Sequence, residues 1–502
     1  MFKLKQLTAC VALALTAGAA WAEGVTVLHI GDQESWLLSA QGNLRDNAGQ
    51  AISFYGGIDR LATVIKNAET AASSQGRTVL KLNAGDAFLP GPRFTASLNN
   101  LANSYTDGGQ DFYDAIALRQ IGFDAMVFGN HEFDLGPQVA ARFAKVSGST
   151  YLSSNLNFNA TAEFSALKAS GKVAPSKVIT TKIGLVGATT PLLPSISSPG
   201  AVNVIGYDAG NTEAQNLQAL IPIIQAEVNR LRSEQGVKTV ILMSHLQNAA
   251  NEINVVIPAL IGVDLVLSGG GHELMVDPDD ALINGGVAAT FTSHPVNAVD
   301  AHGKTVPVLT SHFGNRYVGQ VNFTIDDSNG TFVAIESSKM MRVSGAAADA
   351  DRVSGDATLQ AQVVTPVLNY ISALNAQIIG TTAVKLNGPT HTTCAALPCT
   401  FVAGVRNAET GLANLVADAM RFAGKTDVAI QNGGGIRTNI ATVGNVSVGD
   451  TFNVLPFTNL VKRAPEVNAT QLKDLLEHGY GDTSPTGRAN GRYPQISGMQ
   501  VV

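Results

Sequence analysis

The sequence predicts an α/β layered fold. Two observations carry that prediction: short apolar runs alternate with helical stretches in the first half, and polar clusters follow the runs. Apolar runs at 25–30, 78–83, 125–129, 182–188, 239–245 and 264–268 are bounded by Gly, Asn or Asp, the pattern of buried strands. Helical stretches at 58–72 and 212–234 lie between them. Such alternation packs helices against sheets, and ligands collect at the edge where the strands end.

Residues 1–22 read as a secretory signal. Lys3 and Lys5 form its basic end, 7–20 its apolar core, and Ala20-Trp21-Ala22 a small-residue cleavage site. The predicted mature chain begins at Glu23, in the periplasm or outside the cell. The stretch is too short to be a membrane anchor. Almost no apolar run precedes Cys10, which argues against lipid attachment there. Losing Lys3 and Lys5 takes the formal charge from −6 to −8. An acidic protein gains nothing from polyanion attraction, so a nucleic-acid polymer is excluded as partner. Small phosphorylated substrates stay open, because bound metals can supply positive charge locally.

With 502 residues, 45% hydrophobic and 14% charged, the chain predicts two packed domains. The first spans 23–343 and closes with strands over 323–341. A linker and bridging helix fill 344–379: 345–352 is rich in Ala and Asp, and Val363, Val367, Ile371 and Leu374 recur at helical spacing. The second domain spans 380–502. There Cys394 and Cys399 stand five positions apart beside Pro398, without further soft ligands in reach. In an exported protein this favours a small-loop disulfide.

The chemistry gathers at the strand ends. In order they are Asp32-Gln33-Glu34, Gly85-Asp86, Gly129-Asn130-His131-Glu132, His245 and Gly271-His272. Each could cap a turn or a helix if it stood alone. Five in succession, all oxygen and nitrogen donors without thiolates, point to a metal such as Zn²⁺, Mn²⁺ or Fe. His131 and Asp134 share a face if the chain turns helical after Asn130.

This order of motifs resembles the calcineurin-like metallophosphoesterases. More narrowly the chain resembles the 5′-nucleotidase/UDP-sugar hydrolase family, which joins such a domain to a C-terminal nucleotide-binding one. The second half carries matching signatures in Glu409-Thr410-Gly411-Leu412-Ala413-Asn414-Leu415, Asn432-Gly433-Gly434-Gly435-Ile436-Arg437 and Leu455-Pro456-Phe457-Thr458-Asn459. The resemblance spans about residue 25 to the end.

It implies two divalent ions, Zn, Mn, Co or Mg, bridged by Asp86. Asn130, His245 and His272 would complete one site; Asp32 and Glu34 would hold the other. His131, oriented by Asp134, would stabilise developing charge or assist the leaving oxygen. Arg406, Asn432, Gly434, Arg437 and Phe457 would bind the nucleotide, with Phe457 stacking on the base. Two departures stand out. The family usually has His where this chain has Glu34, and Gln or His where it has Leu274; His302, His312 or a water could fill that gap. The family also continues beyond the position of Val502, which makes the second domain look incomplete.

The implied activity is exported, metal-dependent release of phosphate from 5′-nucleotides, extending to nucleotide sugars. Two alternatives stay open. One keeps the metals but acts on 2′,3′-cyclic nucleotides, general phosphomonoesters or sulfur-oxyacid esters. The other is a non-catalytic nucleotide-binding surface protein.

Overall fold

The computed structural model describes residues 22–39, 54–101, 111–286, 288–389, 391–393, 400–457, 461–481, 483–484 and 489–501. The predicted leader, apart from Ala22, and both Cys394 and Cys399 lie outside the described residues.

In chain order the first region contributes β1 (Ala22–Ile30), β2 (Thr78–Asn83), β3 (Ala125–Val127), β4 (Thr150–Leu152), β5 (Val173–Ala174), β6 (Ser176–Val178) and β7 (Ile183–Thr189). It continues with β8 (Thr239–His245), β9 (Leu265–Gly269), β10 (Val296–Val299), β11 (Thr305–Leu309), β12 (Tyr317–Asp326) and β13 (Phe332–Arg342). A 7-stranded sheet runs β13-β12-β1-β2-β3-β4-β5, and a 6-stranded sheet runs β10-β11-β9-β8-β7-β6. From β1 to β5 the neighbours are parallel, as are β7, β8 and β9, so their C-terminal ends share one edge. Ala22, expected as the last leader residue, opens β1 opposite Asp326.

Strand alternation sorts the side chains into layers. Val25, Val27, Leu80 and Leu82 face Leu185, Ile241, Met243 and Leu267 between the sheets. Leu28 and Ile30 turn the other way, onto helices carrying Leu61, Ile65 and Leu118. On the far side, Leu217, Ile224, Val228 and Leu231 of helix Glu213–Glu234 cover Val240 and Leu242. Helix, sheet, sheet and helix therefore stack in that order. Phe94 of helix Pro92–Asn100 stacks between Phe88 and Phe112, all fully buried. Each such burial stabilises by about 1.5–3 kcal/mol and anchors the loop that follows β2.

β3 stops at Val127, shorter than the predicted 125–129, because Phe128 and Gly129 already belong to the turn that presents Asn130. The bridging helix also departs from one continuous stretch. It comprises Ala357–Leu359, a π-wound Gln360–Val364 and Thr365–Asn375. Pro366 has no N–H to donate back into the preceding turn, which accounts for the loosened winding before it. Val363 and Val367 are fully buried and Ile371 packs against the same core, while Leu374 is only half-buried.

Beyond the bridge lie β14 (Ile378–Thr382), β15 (His391–Thr393), β16 (Thr400–Val402), β17 (Ala429–Asn432), β18 (Gly444–Ser447) and β19 (Pro494–Ser497). β14 pairs with β18, and β17 with β19, all antiparallel. Helix Gly411–Gly424 contributes Leu412, Ala413 and Val416 to a small core with Val405, Ile436 and Val454. Pro456 of this region sits close to Gly91, where an added Cβ would come within 3.3 Å of its ring.

Candidate active site

The strand-end clusters converge on one edge, where the two sheets present their C-terminal ends. Asp32 follows β1, Asp86 follows β2, Asn130 and His131 follow β3, His245 ends β8 and His272 follows β9. Asp32, Glu34, Asp86 and His272 all take left-handed backbone, with φ of 51°, 48°, 53° and 59°. For residues with a Cβ this costs on the order of 1–3 kcal/mol each, and such strain concentrates at functional sites.

Two groups of donor atoms meet there. Asp32, Asp86 and His245 form one, and Glu34, Asp86 and His131 the other; within each group the ligand atoms lie within 4.8 Å of one another. Asp86 belongs to both. One of its oxygens lies 3.0 Å from His245 Nε2 and the other accepts the His131 N–H at 2.8 Å. Asp32 accepts the Gly270 N–H through both oxygens, at 3.0 and 3.1 Å. His272 Nε2 stands 3.1 Å from Glu34 Oε1 and 3.8 Å from Asp32, with its ring stacked on Phe313 at 4.5 Å between centroids.

Neighbours fix the orientation of these donors. His245 Nδ1 bonds to the Ala84 carbonyl at 2.6 Å, which turns Nε2 toward Asp86. Gln247 donates to Asn130 Oδ1 at 2.6 Å. Asp134 meets His131 Nδ1 at 2.5 Å and is itself held by the Ser197 hydroxyl at 2.8 Å. The expected pairing of His131 with Asp134 is therefore present, on a single 3₁₀ turn, His131–Phe133. Gly129 is indispensable to the close approach: an added Cβ would lie 2.1 Å from Asp86 Oδ1.

Burial by itself lowers an imidazole. Here Asp134, Asp86 and Glu34 take His131 up to about 10, and Asp86 and Asp32 do the same for His245. Burial pushes Asp32 up to about 6, against the pull of His245 and His272. Burial also works against the Glu34 carboxylate, yet His272, Arg437 and His131 hold it well below the usual range. Such a knot of carboxylates calls for positive charge. Glu34 Oε1 and His245 Nε2 are buried and meet their charged neighbours, His272 and Asp86, at 3.1 and 3.0 Å without a well-directed hydrogen bond, and the donors are all oxygen or nitrogen. These features fit one or two divalent cations.

From the C-terminal region, Arg437 Nη2 reaches 4.0 Å from Glu34 Oε1, and its guanidinium lies 5.6 Å from the Phe457 ring. Phe457 is nearly parallel to the His131 ring, at 6.1 Å and 16°. Arg406 is nearby: burial and repulsion from Arg437 bring it down to about 10. The glycine run has a use beyond ligand approach. A Cβ at Gly433 would fall 1.8 Å from the Val405 carbonyl, while the Gly434 N–H and the Asn432 amide both donate to the Gly491 carbonyl. Asn432 and Gly434 are thus tied to the 491–493 turn.

The structure gives neither candidate for the Leu274 gap a ligand's place. His302 is exposed in the turn between β10 and β11. His312 bonds through Nδ1 to the His272 carbonyl at 2.7 Å and joins neither donor group. Leu274 itself is fully buried in an apolar cluster with Trp36 and Tyr317. Sequence reading missed Gln247, Phe313 and the use of Glu132. Gln247 lies two residues after His245, at a φ of 71°, but nothing in its spacing marks it.

The family model for the 5′-nucleotidase C-terminal domain matches residues 379–502. The chain is 27% identical to the snake venom 5′-nucleotidase of Gloydius brevicauda, over 98% of this chain and 75% of that protein. It is 25% identical to the 5′-nucleotidase of Mus musculus, over 97% and 76%. Residues 379–502 are a 5′-nucleotidase C-terminal domain. The chain shares its fold with the 5′-nucleotidase precursor of Thermus thermophilus, at a TM-score of 0.70 and 24% identity, covering 95% of this chain and 81% of the other. The NAD nucleotidase of Haemophilus influenzae also aligns, at a TM-score of 0.58 and 19% identity, covering 95% and 82%. Its likeness to these 5′-nucleotidases makes the chain a hydrolase, and among its described residues no helix is long and apolar enough to cross a membrane.

Proposed function

We propose that this chain is an exported, metal-dependent phosphohydrolase that releases phosphate from 5′-nucleotides. The observation that supports this reading is the sharing of Asp86 between two donor groups, the arrangement a pair of divalent cations requires. By the family resemblance Asp32 and Glu34 would hold one ion, Asn130, His245 and His272 the other, and Asp86 both; the structure departs from that division in drawing Asp32 together with His245 and in setting His272 Nε2 3.1 Å from Glu34 Oε1.

The cations, when bound, would supply Lewis-acid polarisation of the phosphoryl group and a water of lowered pKa. Asp134 on His131 Nδ1 leaves Nε2 to face the reacting group. From there it hydrogen-bonds a phosphoryl oxygen or gives its proton to the departing ribose oxygen. Arg437 and Arg406 add fixed positive charge for the phosphate, and a planar guanidinium suits that contact. Phe457 offers a flat face for the base. Gln247 keeps the Asn130 side chain in one orientation.

The test combines elemental analysis of the purified chain with phosphate release from AMP, a nucleotide sugar and a simple aryl phosphate, each with and without chelator. Chelator-sensitive release from AMP, restored by Mn²⁺, Co²⁺ or Zn²⁺, is expected. Chelator-resistant release, or none after metal loading, would overturn the reading.

A further inference from the structure

Glu132 is completely buried one residue after His131, yet it joins neither donor group. Its two oxygens are spent elsewhere. Oε1 accepts the Ala87 N–H at 2.7 Å, and Oε2 accepts the Gly129 N–H at 2.7 Å and the Asp86 N–H at 3.2 Å. Ala87 and Asp86 belong to the turn after β2, and Gly129 to the turn after β3. These are the two turns that present Asp86 on one side and Asn130 and His131 on the other.

We infer that Glu132 is a positioning residue that clamps the Asp86 turn to the Asn130-His131 turn and so sets the spacing of the metal donors. The inference rests on the metal-dependent reading above. Two features separate the clamp from an ordinary buried acid. The three N–H groups come from both turns, so one carboxylate fixes their relative position rather than capping a single one. The Asp86 N–H it holds belongs to the residue shared by both donor groups, at a φ of 53° that an unsupported turn would leave. The reverse bond, from the His131 N–H to Asp86 Oδ1 at 2.8 Å, closes the circuit. The bonds from Ala87 and Gly129 are short, at 2.7 Å, and the one from Asp86 is longer, at 3.2 Å; together on one buried group they leave little freedom to either turn.

Groups that orient metal ligands typically change metal affinity or activity by roughly 10–100-fold when replaced. Glu132→Gln keeps the volume but sets an amide N–H against a backbone N–H. Glu132→Asp keeps the charge but is one methylene too short to span both turns. In Co²⁺ titrations of the full chain, followed by the visible absorption of the bound ion, both variants should bind roughly 10–100-fold more weakly and show a shifted band. Their circular dichroism should match that of the parent.

Parent-like affinity and band in Glu132→Gln would overturn the clamp. Recovery in Glu132→Asp alone would also overturn it, because charge and not span would then be what matters. If both variants fail to fold, hydrogen exchange in the parent decides. Slow exchange at Ala87 and Gly129 supports the clamp, and exchange at the rate of an open loop overturns it. A parent that binds Co²⁺ with these properties but releases no phosphate from AMP sinks the substrate reading and leaves the clamp standing. A parent that binds no metal sinks the clamp.

Discussion

Asp86 holds His245 Nε2 at 3.0 Å with one oxygen while the other accepts the His131 N–H at 2.8 Å. One carboxylate thus ties the end of β8, in the second sheet, to the turn after β3, in the first. The site is therefore a seam between two sheets, and its parts should respond differently to substitution.

Asp86→Ala should lose metal and activity together, since both donor groups share that residue. His131→Ala should keep its metal content while kcat drops by roughly 10²–10⁴, the usual worth of an acid–base group. Metal analysis beside single-turnover kinetics separates the two. Full activity in either variant would remove that residue from the chemistry.

Glu34 brings a negative charge to a position where an imidazole was expected from the family resemblance, and it faces both His272 and Arg437. Harder ions such as Mn²⁺ or Mg²⁺ should suit that carboxylate. A metal titration should resolve two classes of site, and Glu34→His should tighten the weaker one. Two equally tight sites that ignore the substitution would place Glu34 outside the metal shell.

Much of this was legible from strand ends alone. Asp32, Asp86, Asn130, His245 and His272 each follow an apolar run, and parallel strands must deliver such residues to one edge. The use of Glu132 and Gln247 was not legible, because it depends on how two turns from different strands face each other. Spacing within one segment carries no such information. The packing use of the glycine run at 433–435 was hidden for the same reason, since the nearest constraint on Gly433 is the Val405 carbonyl, distant in sequence. Leu274 packs into the apolar cluster with Trp36 and Tyr317, neighbours brought in from distant segments that spacing around His272 does not reveal.

His29 and His294 form a buried stacked pair whose Nε2 atoms lie 3.2 Å apart, with Asp277 the facing carboxylate. Burial holds both imidazoles below their ordinary range, His29 further depressed by its partner and His294 down to about 4. Between about pH 4 and the unfolded value near 6.5, the unfolded chain binds protons that the folded chain does not. Stability contributed by the neutral pair is present above pH 6.5 and falls as pH drops toward 4. For His294 alone this amounts to about 3 kcal/mol. Urea midpoints of the parent should decline over that window, and His294→Gln should flatten the decline. An unchanged slope would show that the pair does not titrate there.

β15 and β16 pair antiparallel with Thr393 opposite Thr400, so the sequence between the paired ends is residues 394–399. Cys394 and Cys399 are adjacent to those paired ends in sequence. Intact mass of periplasmic material should fall two hydrogens short of the reduced chain. Because so few residues separate the two cysteines, the chain-entropy model puts the stabilisation below the roughly 3 kcal/mol of a 15-residue loop. Two free thiols in exported protein would rule the bond out.

Phe457 separates phosphoryl chemistry from recognition of the nucleoside. Its ring lies beside His131 and under Arg437, yet it offers no donor to the metal groups. Base stacking on an aromatic is worth about 1–3 kcal/mol per base where nucleic-acid binders have been probed, which corresponds to roughly fivefold to 150-fold. Phe457→Ala should therefore lower kcat/KM for AMP by that factor while leaving an aryl phosphate nearly untouched, because the metal donors and His131 remain. Arg437→Ala should behave differently: on the proposed reading its guanidinium would serve the phosphate common to both substrates, so the variant should slow both. Equal losses on AMP and the aryl phosphate in Phe457→Ala would mean that the ring supports His131 instead of the base.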